Sequence, residues 1–426
     1  MKLYSKAVKI LKELPQEKFD VNQLVATLKN KGVKPAEIEN AKLPATGTYP
    51  KQALMDVFET FKPRIGITKY GTLDLNELSK SQADEYHRLL GMRTADMTDE
   101  EIDRQGDLER RASVKKTQYH GYKLPGGHDY QEHLIQLGGE RQYTSSHWQP
   151  GNILAHVRLS NRIMPDGRKM LHVEEVQSDW GQEGREKGFS DPENPFEVFD
   201  TKTGKTVSAH PTHSAAWNAF RQMPEEQSAG LDYGSTDKPP AAPYVTSTQG
   251  WTDLALKHIL SHAAAGNYDG IVFTPGQAQA DRYRLRNHVD QIAYSPDTKE
   301  FRAYKNGRIV YAKDHEPEEL AKVIGKNRSE NLLSQPLQNE AFGNKRFHVL
   351  EGDDLDFGGE GMKAYYDKML PSRVMKLAQQ HDPSVKSGYE NINDQYSGFS
   401  IPVTQQMRDS INNNGFEAFK RGGYAK

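Results

Sequence analysis

The sequence contains no cysteine, and this absence removes several classes of structure and chemistry. Disulfide bonds, cysteine-ligated zinc sites and thiol nucleophiles are all excluded. The sequence also lacks any apolar run near the ~18 residues that a membrane-spanning helix needs. Its first segment, Met1 to Phe19, is rich in lysine but holds no apolar core of a signal peptide. We therefore expect a protein without a membrane span, made in a reducing cytoplasm.

A large excess of charge of either sign is absent as well. The 426 residues include 56 Lys+Arg and 58 Asp+Glu, for a net charge of −2, which argues against a generally basic coat for nucleic acid. Hydrophobic residues make up only 35% of the chain and the mean hydropathy is −0.83, so we expect polar insertions around a smaller core. A chain of this length is typical of about two or three domains.

The chain is predicted to consist of three parts. Residues 1–65 form a small helical domain, because apolar residues recur at helical spacing, Asp20 can cap one helix and Pro50 can begin another. Residues 66–117 form a charged helical linker. Residues 118–426 form the main α+β domain, with insertions at about 190–247 and 288–340. We expect docking or binding, rather than catalysis, from the helical domain.

The main domain is expected to contain a central β-hairpin. It joins strands at Asn152–Arg162 and Lys169–Gln177 through the turn Met164–Gly167, where proline and glycine suit a turn. Before it we predict a strand at Tyr119–Leu124 and a helix at Tyr130–Leu137. After it, the pattern predicts helices at Trp251–Ala264, Ala278–Asn287, Met362–Gln379 and Thr404–Ile411, and strands at Tyr268–Thr274 and Phe347–Leu350.

The two insertions look alike. One reads Phe196–Asp200, then Gly204–Val207, then a helix around 215–220; the other reads Phe301–Lys305, then Gly307–Val310, then a helix around 317–324. Each pattern predicts a β-hairpin followed by a helix. They are either copies of one ββα module or two similar decorations, and two copies do not decide between these.

The segment His172–Trp180 (HVEEVQSDW) is the densest polar pattern in the chain, at the expected end of a strand and start of a helix. With a two-residue turn, His156 lies opposite Glu175, and His156, Arg158, Glu175 and Gln177 share one face. A three-residue turn would put Glu174 there instead.

This group favours either a catalytic site or a structural pair. A carboxylate beside histidine and arginine is a general base or an anchored ion pair. Asp179 can cap the next helix, with Gln182 three residues on, which leaves Ser178 near a positive helix end. The structural alternative is a cross-strand salt bridge followed by a helix cap.

Two further polar groups are candidates for ligand binding. In Thr274–Tyr283 a strand runs through a glycine turn into a helix, a geometry that suits phosphate, and the group presents Gln279, Arg282 and Tyr283. In Gly358–Lys368 a glycine-rich loop precedes a helix; the candidates there are Lys363 as an anion contact, Tyr366 as a proton donor and Asp367. An ordinary turn and a solvated helix face are the respective structural alternatives.

A metal site is not predicted. His258 and His262 stand four residues apart on one helix, a spacing that metal ligands use. The residues between them are Ile-Leu-Ser, so the glutamate of a metalloprotease motif is missing.

Short segments of the main domain follow one order along residues 120–410: Leu124–Gly127, Asn152–Arg158, Val173–Gln182, Trp251 with Leu256 and Lys257, Gln279–Tyr283, Gly359–Pro371, and Ile401–Thr404 with Met407 and Arg408. Together they resemble a module of large polyvalent proteins of bacteriophages and conjugative elements, and the N-terminal helices resemble the segment that often precedes it. The resemblance implies a phage or mobile-element context, in the host cytoplasm or the virion, without a reaction. The motif residues of the module correspond here to His156, Arg158, Glu175, Gln177, Ser178, Asp179, Gln279, Arg282, Tyr283, Lys363, Tyr366 and Asp367.

The predicted fold class is α+β: a mixed or antiparallel sheet core with flanking helices and two ββα insertions, preceded by a small helical domain. The leading functional hypothesis is an enzyme acting on a nucleotide or phosphate-bearing substrate, with Glu175 as general acid/base. His156 and Arg158 would orient it and contact anions, Asp179 and Tyr366 would assist, and Lys363 and Arg282 would bind phosphate. ADP-ribosyl transfer and hydrolysis both fit, and no cofactor is identified.

The rival hypotheses are a non-enzymatic virion or ejected structural protein and a module that binds a host factor. A helical N-terminal unit, polar insertions and an incomplete catalytic pattern favour them. The expected partners are thus a nucleotide or phosphate-bearing ligand, or a host or virion protein. Convergence of the three polar groups in one pocket would favour the enzyme.

Overall fold

The computed structural model describes residues 1–73, 75–90, 92, 97–113, 115–120, 123–140, 142–145, 147–235, 237–282, 289–339, 345–351 and 360–419. They divide into two compact units. The first comprises Met1–Val272, Arg373–Ser387 and Ser400–Lys426, and the second comprises Phe273–Ser372 and Gly388–Phe399. Within the described ranges, no helix is both long and apolar enough to cross a membrane.

The strands and helices are numbered here along the chain. The strands are β1 (Leu3–Tyr4), β2 (Lys18–Asp20), β3 (Thr48–Pro50), β4 (Ile65–Tyr70), β5 (His128–Leu137), β6 (Ile153–Ile163), β7 (Lys169–Gln177), β8 (Phe196–Asp200), β9 (Thr206–His210), β10 (Leu231–Ser235), β11 (Gly270–Phe273), β12 (Gln291–Tyr294), β13 (Glu300–Lys305), β14 (Arg308–Asp314), β15 (Gln338–Asn339), β16 (Arg346–Glu351), β17 (Gly388–Asn391), β18 (Ser397–Pro402) and β19 (Phe416–Glu417). The helices are α1 (Lys6–Glu13), α2 (Val21–Asn30), α3 (Pro35–Asn40), α4 (Lys51–Thr60), α5 (Lys80–Leu90), α6 (Asp99–Ala112), α7 (Asp179–Lys187), α8 (His213–Arg221), α9 (Glu225–Ser228), α10 (Thr248–Ala265), α11 (Gly276–Arg282), α12 (Leu320–Ile324), α13 (Lys326–Ser334), α14 (Glu360–Lys363), α15 (Leu370–Ala378) and α16 (Gln405–Asn414).

The N-terminal helices pack around their own apolar core. Leu11, Leu24 and Leu54 are almost fully buried within it. Asp20 accepts a hydrogen bond from the Gln23 amide at 3.1 Å and caps α2, and Pro50 directly precedes α4, so both predicted helix starts are confirmed. The sequence reading missed α3 and the short antiparallel pair β2–β3.

The predicted linker contains a strand as well as helices. Its helices are α5 and α6, and Thr98 and Glu101 form the capping box that begins α6. Ile65–Tyr70, however, forms β4 and pairs with β5 along its whole length. A purely helical linker was therefore wrong, because pairing with a strand more than sixty residues away decides the conformation here.

The main sheet of the first unit runs in the order β18-β11-β7-β6-β5-β4. The predicted helix at Tyr130–Leu137 is wrong: this segment lies in β5, which pairs with β4 on one side and β6 on the other. The predicted strand at Tyr119–Leu124 is wrong for its described residues, 119, 120, 123 and 124, which lie outside any strand. Helix α10 packs against β6 and β7.

The β6–β7 hairpin has a different register from the one predicted. The Met164 amide donates to the Arg168 carbonyl and Ile163 pairs with Lys169, so the turn has three residues instead of two. A bulge at Glu174 then shifts the pairing once more. His156 consequently lies opposite Gln177, not Glu175, and Arg158 lies opposite Glu175. The two shifts add up to two residues, so the alternation of side chains is restored and the predicted shared face is confirmed.

Both insertions contain the predicted hairpin and helix, and they differ in their third strand. The first has the strand order β10-β8-β9 with α8 after the hairpin. In the second unit β13 lies between β14 and β12 within the sheet β14-β13-β12-β16-β15. The third strand follows the helix in one insertion and precedes the hairpin in the other. Antiparallel sheets and separate helices thus confirm the α+β class.

Candidate functional site

One face of the central strands β5, β6 and β7 is polar and buried. Its side chains are at most 5% exposed: Glu132, His156, Arg158, Ser160, Arg162, His172, Glu174 and Glu175. The neighbouring positions in the same strands, such as Val157 and Val173, are apolar. Because burial of charge is costly unless each group has a partner, the contacts of these side chains decide what the face can do.

Glu132 and Glu174 attach a loop to this face. Glu132 accepts from the backbone amides of Gln118 and Tyr119 at 2.8 and 2.6 Å. Glu174 accepts from the Leu124 amide at 3.2 Å and from the Ser160 hydroxyl at 2.7 Å. Burial raises the pKa of Glu132, and its backbone hydrogen bonds oppose that shift. These bonds also explain why Tyr119 and Leu124 do not lie in a strand: their backbone amides donate to side chains.

Arg162 attaches the same loop from the other side. Its guanidinium donates to the backbone carbonyls of Pro125 and Leu124 at 2.9 and 3.2 Å and to His172 Nδ1 at 3.0 Å. Glu132, Glu174 and Arg162 therefore have structural roles, since they anchor the backbone at residues 118, 119, 124 and 125.

Arg158 and Glu175 form an ion pair at the centre of the face. Arg158 Nε lies 2.5 Å from Glu175 Oε2, and the Arg158 guanidinium lies 5.8 Å from the centre of the Tyr119 ring. His156 Nε2 lies 3.9 Å from the same carboxylate. Trp148 Nε1 donates to His156 Nδ1 at 3.3 Å, which places the proton of a neutral His156 on Nε2.

A second carboxylate, Asp179, lies just beyond the end of β7. Gln177 donates to its Oδ1 at 2.8 Å, and the Ser145 hydroxyl donates to its Oδ2. His147 Nδ1 lies 3.2 Å from Asp179 Oδ1, and the His147 side chain is 53% exposed against 12% for Asp179. Burial and then the Asp179 charge raise the pKa of Tyr119.

The prediction named Asp179 as the cap of α7, and this is wrong. Ser178 is the cap, since its hydroxyl accepts from the Gly181 amide at 2.9 Å, and Asp179 is the first residue of the helix. Ser178 is fully buried, so its hydroxyl serves the helix. The Asp179 carboxylate is thereby left at the positive helix end, where a negative charge is favoured.

In the second unit, the other two predicted groups come together. The amide of Gly276 donates to Asp367 Oδ1 at 2.7 Å, so a carboxylate occupies the helix start that was expected to bind phosphate. Arg282 donates to the buried Gln279 at 3.2 Å. A Cβ added to Gly276 would lie 2.5 Å from Lys363 Cα, which shows how close α11 and α14 approach.

Tyr366 and Tyr283 complete the predicted set. Tyr366 is buried and lies in a six-residue π-helix, Ala364–Met369, a distortion that is frequent at functional sites. Tyr283 lies outside the described residues. In the first unit the structure thus brings together His156, Arg158, Glu175, Gln177 and Asp179. In the second unit it joins Arg282 to Gln279 and places Lys363 and Asp367 beside Gly276.

The predicted histidine pair has a third member. His133 Nδ1 lies 2.9 Å from His258 Nε2, and the rings of His133 and His262 are 4.9 Å apart. Burial holds the pKa values of His133 and His258 well below the ordinary value and lowers that of His262 to about 4. In the part of the chain that is described, no His, Asp and Glu side chains are grouped to hold a metal ion.

The sequence reading missed His147, Ser145 and Trp148. They lie in an irregular segment before β6, so no periodicity pointed to them. The only available signal was composition: serines, a histidine and a tryptophan immediately ahead of a polar strand.

Comparison with known proteins adds no relative. Neither the models of known protein families nor the curated proteins nor the solved structures contain a match to this chain.

Proposed function

We propose that this chain is a phage or mobile-element enzyme whose active site lies at the end of β7. Two carboxylates lie at its centre. Glu175 pairs with Arg158 and lies close to His156. Asp179 accepts hydrogen bonds from Gln177 and Ser145. The proposed substrate is a nucleotide or another phosphate-bearing molecule, and the proposed chemistry is transfer or hydrolysis.

The buried polar face carries this proposal. An apolar replacement of a buried ion pair is often neutral or stabilising, so a fold gains little stability from keeping such a pair. Here a face of three strands keeps carboxylates, histidines and arginines at most 5% exposed. At the rim of that face, Asp179 lies beside the half-exposed His147. A charged interior that opens at one exposed acid–base pair is typical of a catalytic site.

The second unit, described by itself, holds a separate candidate for phosphate binding. Arg282 and Lys363 are cations on two helices that approach closely, and a π-helix follows Lys363 directly. Phosphate groups are commonly bound by such cations. Because Asp367 occupies the start of α11, we assign the anion contact to the two side chains and not to the helix N-terminus.

The proposal is tested by ligand-induced stabilisation. The full chain would be melted alone and with NAD⁺, ATP, inorganic phosphate, Mg²⁺ and short DNA and RNA, for wild type and Asp179→Asn. A ligand at about 100 times its dissociation constant adds about 2.7 kcal/mol to the free energy of unfolding. We expect a nucleotide to raise the melting temperature of wild type and to raise that of Asp179→Asn by clearly less.

Asp99→Asn is the matched control. Asp99 is the first residue of α6, as Asp179 is of α7, and it is exposed. The control removes the same charge from the same helical position and should respond to ligands like wild type. Equal responses of all three proteins to every ligand, or no response at all, would contradict the proposal.

A second candidate is a non-enzymatic virion or host-binding protein. The anchoring roles of Glu132, Glu174 and Arg162 favour it, since these side chains hold a loop and need no substrate. In that case no ligand of the panel should stabilise the chain, and Asp179→Asn should change only the melting temperature.

A further inference from the structure

We infer that His147 is the proton acceptor of the proposed site and that Asp179 positions it. The inference deepens the proposed function and depends on it for the reaction. The position of the proton on His147 is independent of the proposed function and is measured separately.

The surroundings of Asp179 determine which nitrogen of His147 carries the proton. Gln177 donates an N–H to Oδ1 and Ser145 donates an O–H to Oδ2, so both carboxylate oxygens act as acceptors. His147 Nδ1 lies 3.2 Å from Oδ1. This contact is a charge contact without hydrogen-bond geometry, and the negative oxygen disfavours the partial negative charge of an unprotonated nitrogen so close to it. On this electrostatic ground, we assign the proton of a neutral His147 to Nδ1 and the lone pair to Nε2.

A backbone contact fixes the segment that carries His147. The His147 amide donates to the Ser145 hydroxyl oxygen at 3.0 Å, and the same hydroxyl donates to Asp179. Ser145 is buried. One serine thus joins the His147 backbone to the carboxylate that lies beside the His147 ring.

The second histidine of the site has the opposite arrangement. His156 accepts from Trp148 at Nδ1, so its proton is on Nε2, 3.9 Å from Glu175. Its side chain is 5% exposed, against 53% for His147. The imidazole of His147 is thus half exposed to solvent, whereas Nδ1 of the buried His156 accepts from Trp148. Glu175 already pairs with Arg158 at 2.5 Å, which assigns it to charge balance and not to proton transfer.

The arrangement defines the step that His147 performs. The proton moves from the O–H of water or of a substrate hydroxyl to Nε2, which leaves an oxygen nucleophile and an imidazolium beside Asp179. The nucleophile attacks the electrophilic centre, and the imidazolium returns the proton to the departing oxygen. The phosphate-bearing substrate class is that of the proposed function, and the histidine adds that a hydroxyl oxygen attacks it, through hydrolysis or transfer to an alcohol.

The tautomer is measured by nitrogen NMR on the full chain with ¹⁵N-labelled histidine. The His147 signals are assigned by their loss in His147→Asn, a variant whose amide nitrogen can still face Asp179. We expect the Nδ1–H form of neutral His147 in wild type and a shift toward Nε2–H in Asp179→Asn. Asp99→Asn should leave the signals unchanged. Nε2–H as the main form in wild type, or no change in Asp179→Asn, would overturn the inference.

Reactivity gives an independent readout. Diethyl pyrocarbonate modifies neutral imidazole nitrogens, and peptide mass spectrometry locates the product. We expect His147 to react more than tenfold faster than His156 and several-fold more slowly in Asp179→Asn. Equal rates for His147 and His156 would contradict the assignment. If the tautomer and reactivity results are as expected but no ligand binds, the proposed function fails and the assignment of the His147 proton stands. If a ligand binds but the tautomer is the other one, the proposed function stands and the role of His147 fails.

Discussion

The buried pair of Arg158 and Glu175 should show strong and unequal effects when either partner is removed. Both side chains are almost fully buried, with 2.5 Å between Arg158 Nε and Glu175 Oε2. Loss of one member of a buried pair costs about 3–5 kcal/mol. Glu132 also interacts electrostatically with Arg158, and this attraction opposes the rise of the Glu132 pKa that burial causes. Glu175→Gln should therefore cost about 3 kcal/mol, because Glu132 still balances Arg158.

Arg158→Met should cost more, about 4–5 kcal/mol, because it leaves two buried carboxylates without their cation. The double variant should cost less than the sum of the two, with a coupling of at least about 2 kcal/mol. Urea unfolding followed by tryptophan fluorescence measures all four free energies of unfolding. Two single effects below about 1 kcal/mol, or simple additivity, would refute the described pairing.

Three further expectations concern stability. Acid should weaken the first unit, because unfolded histidines take up protons near pH ~6.5 whereas burial lowers the pKa of His262 to about 4. The contribution of His262 to the free energy of unfolding is complete above the unfolded pKa and falls by about 3 kcal/mol as the pH drops to the folded pKa. In urea titrations, His262→Gln should therefore lose less free energy of unfolding than wild type between pH 7 and pH 4.5, and an equal loss would contradict this. Ser178→Ala removes the cap bond to the Gly181 amide and should lower the free energy of unfolding by about 1 kcal/mol; an unchanged urea midpoint would exclude that role. Gly276→Ala should lower the melting temperature, since its Cβ would meet Lys363 Cα at 2.5 Å, whereas Gly361→Ala, whose Cβ meets nothing within 4 Å, should not; similar melting temperatures for the two variants would contradict the close approach.

The Arg158–Glu175 geometry changes how mutations at Glu175 are interpreted. A loss of stability in a Glu175→Ala variant would not show that Glu175 has only a structural role, because any removal of this buried charge destabilises the fold. Asp179 and His147 are better probes of function, since Asp179 lies at a helix start and His147 is half exposed.

Local sequence signals predicted the local structure well. The cap at Asp20 and the position of the β6–β7 turn, though not its length, depend on residues only three or four positions apart. Such interactions can be read directly from the chain. The shared face of His156, Arg158, Glu175 and Gln177 was predicted from a wrong register, and it is present because the longer turn and the bulge together shift the pairing by two residues.

Features that depend on distant residues could not be predicted. Segment 130–137 was predicted as a helix, and only its pairing with β4 and β6 makes it a strand. The bulge at Glu174 leaves no mark in the sequence. The start of α11 looked suited to phosphate, but Asp367, 91 residues away, fills it. Contacts of this kind are set by the tertiary fold and not by local spacing.

The most direct test of the central claim is a ligand titration observed at His147 itself. ¹⁵N-histidine-labelled full chain would be titrated with NAD⁺ and with ATP while the side-chain signals of His147 and of the buried His258 are followed. We expect one nucleotide to shift the His147 signals in a saturable way, with little effect on His258, and to do so far more weakly in Asp179→Asn. Nucleotide binding without any change at His147, or no binding of either nucleotide, would contradict a catalytic site at the end of β7.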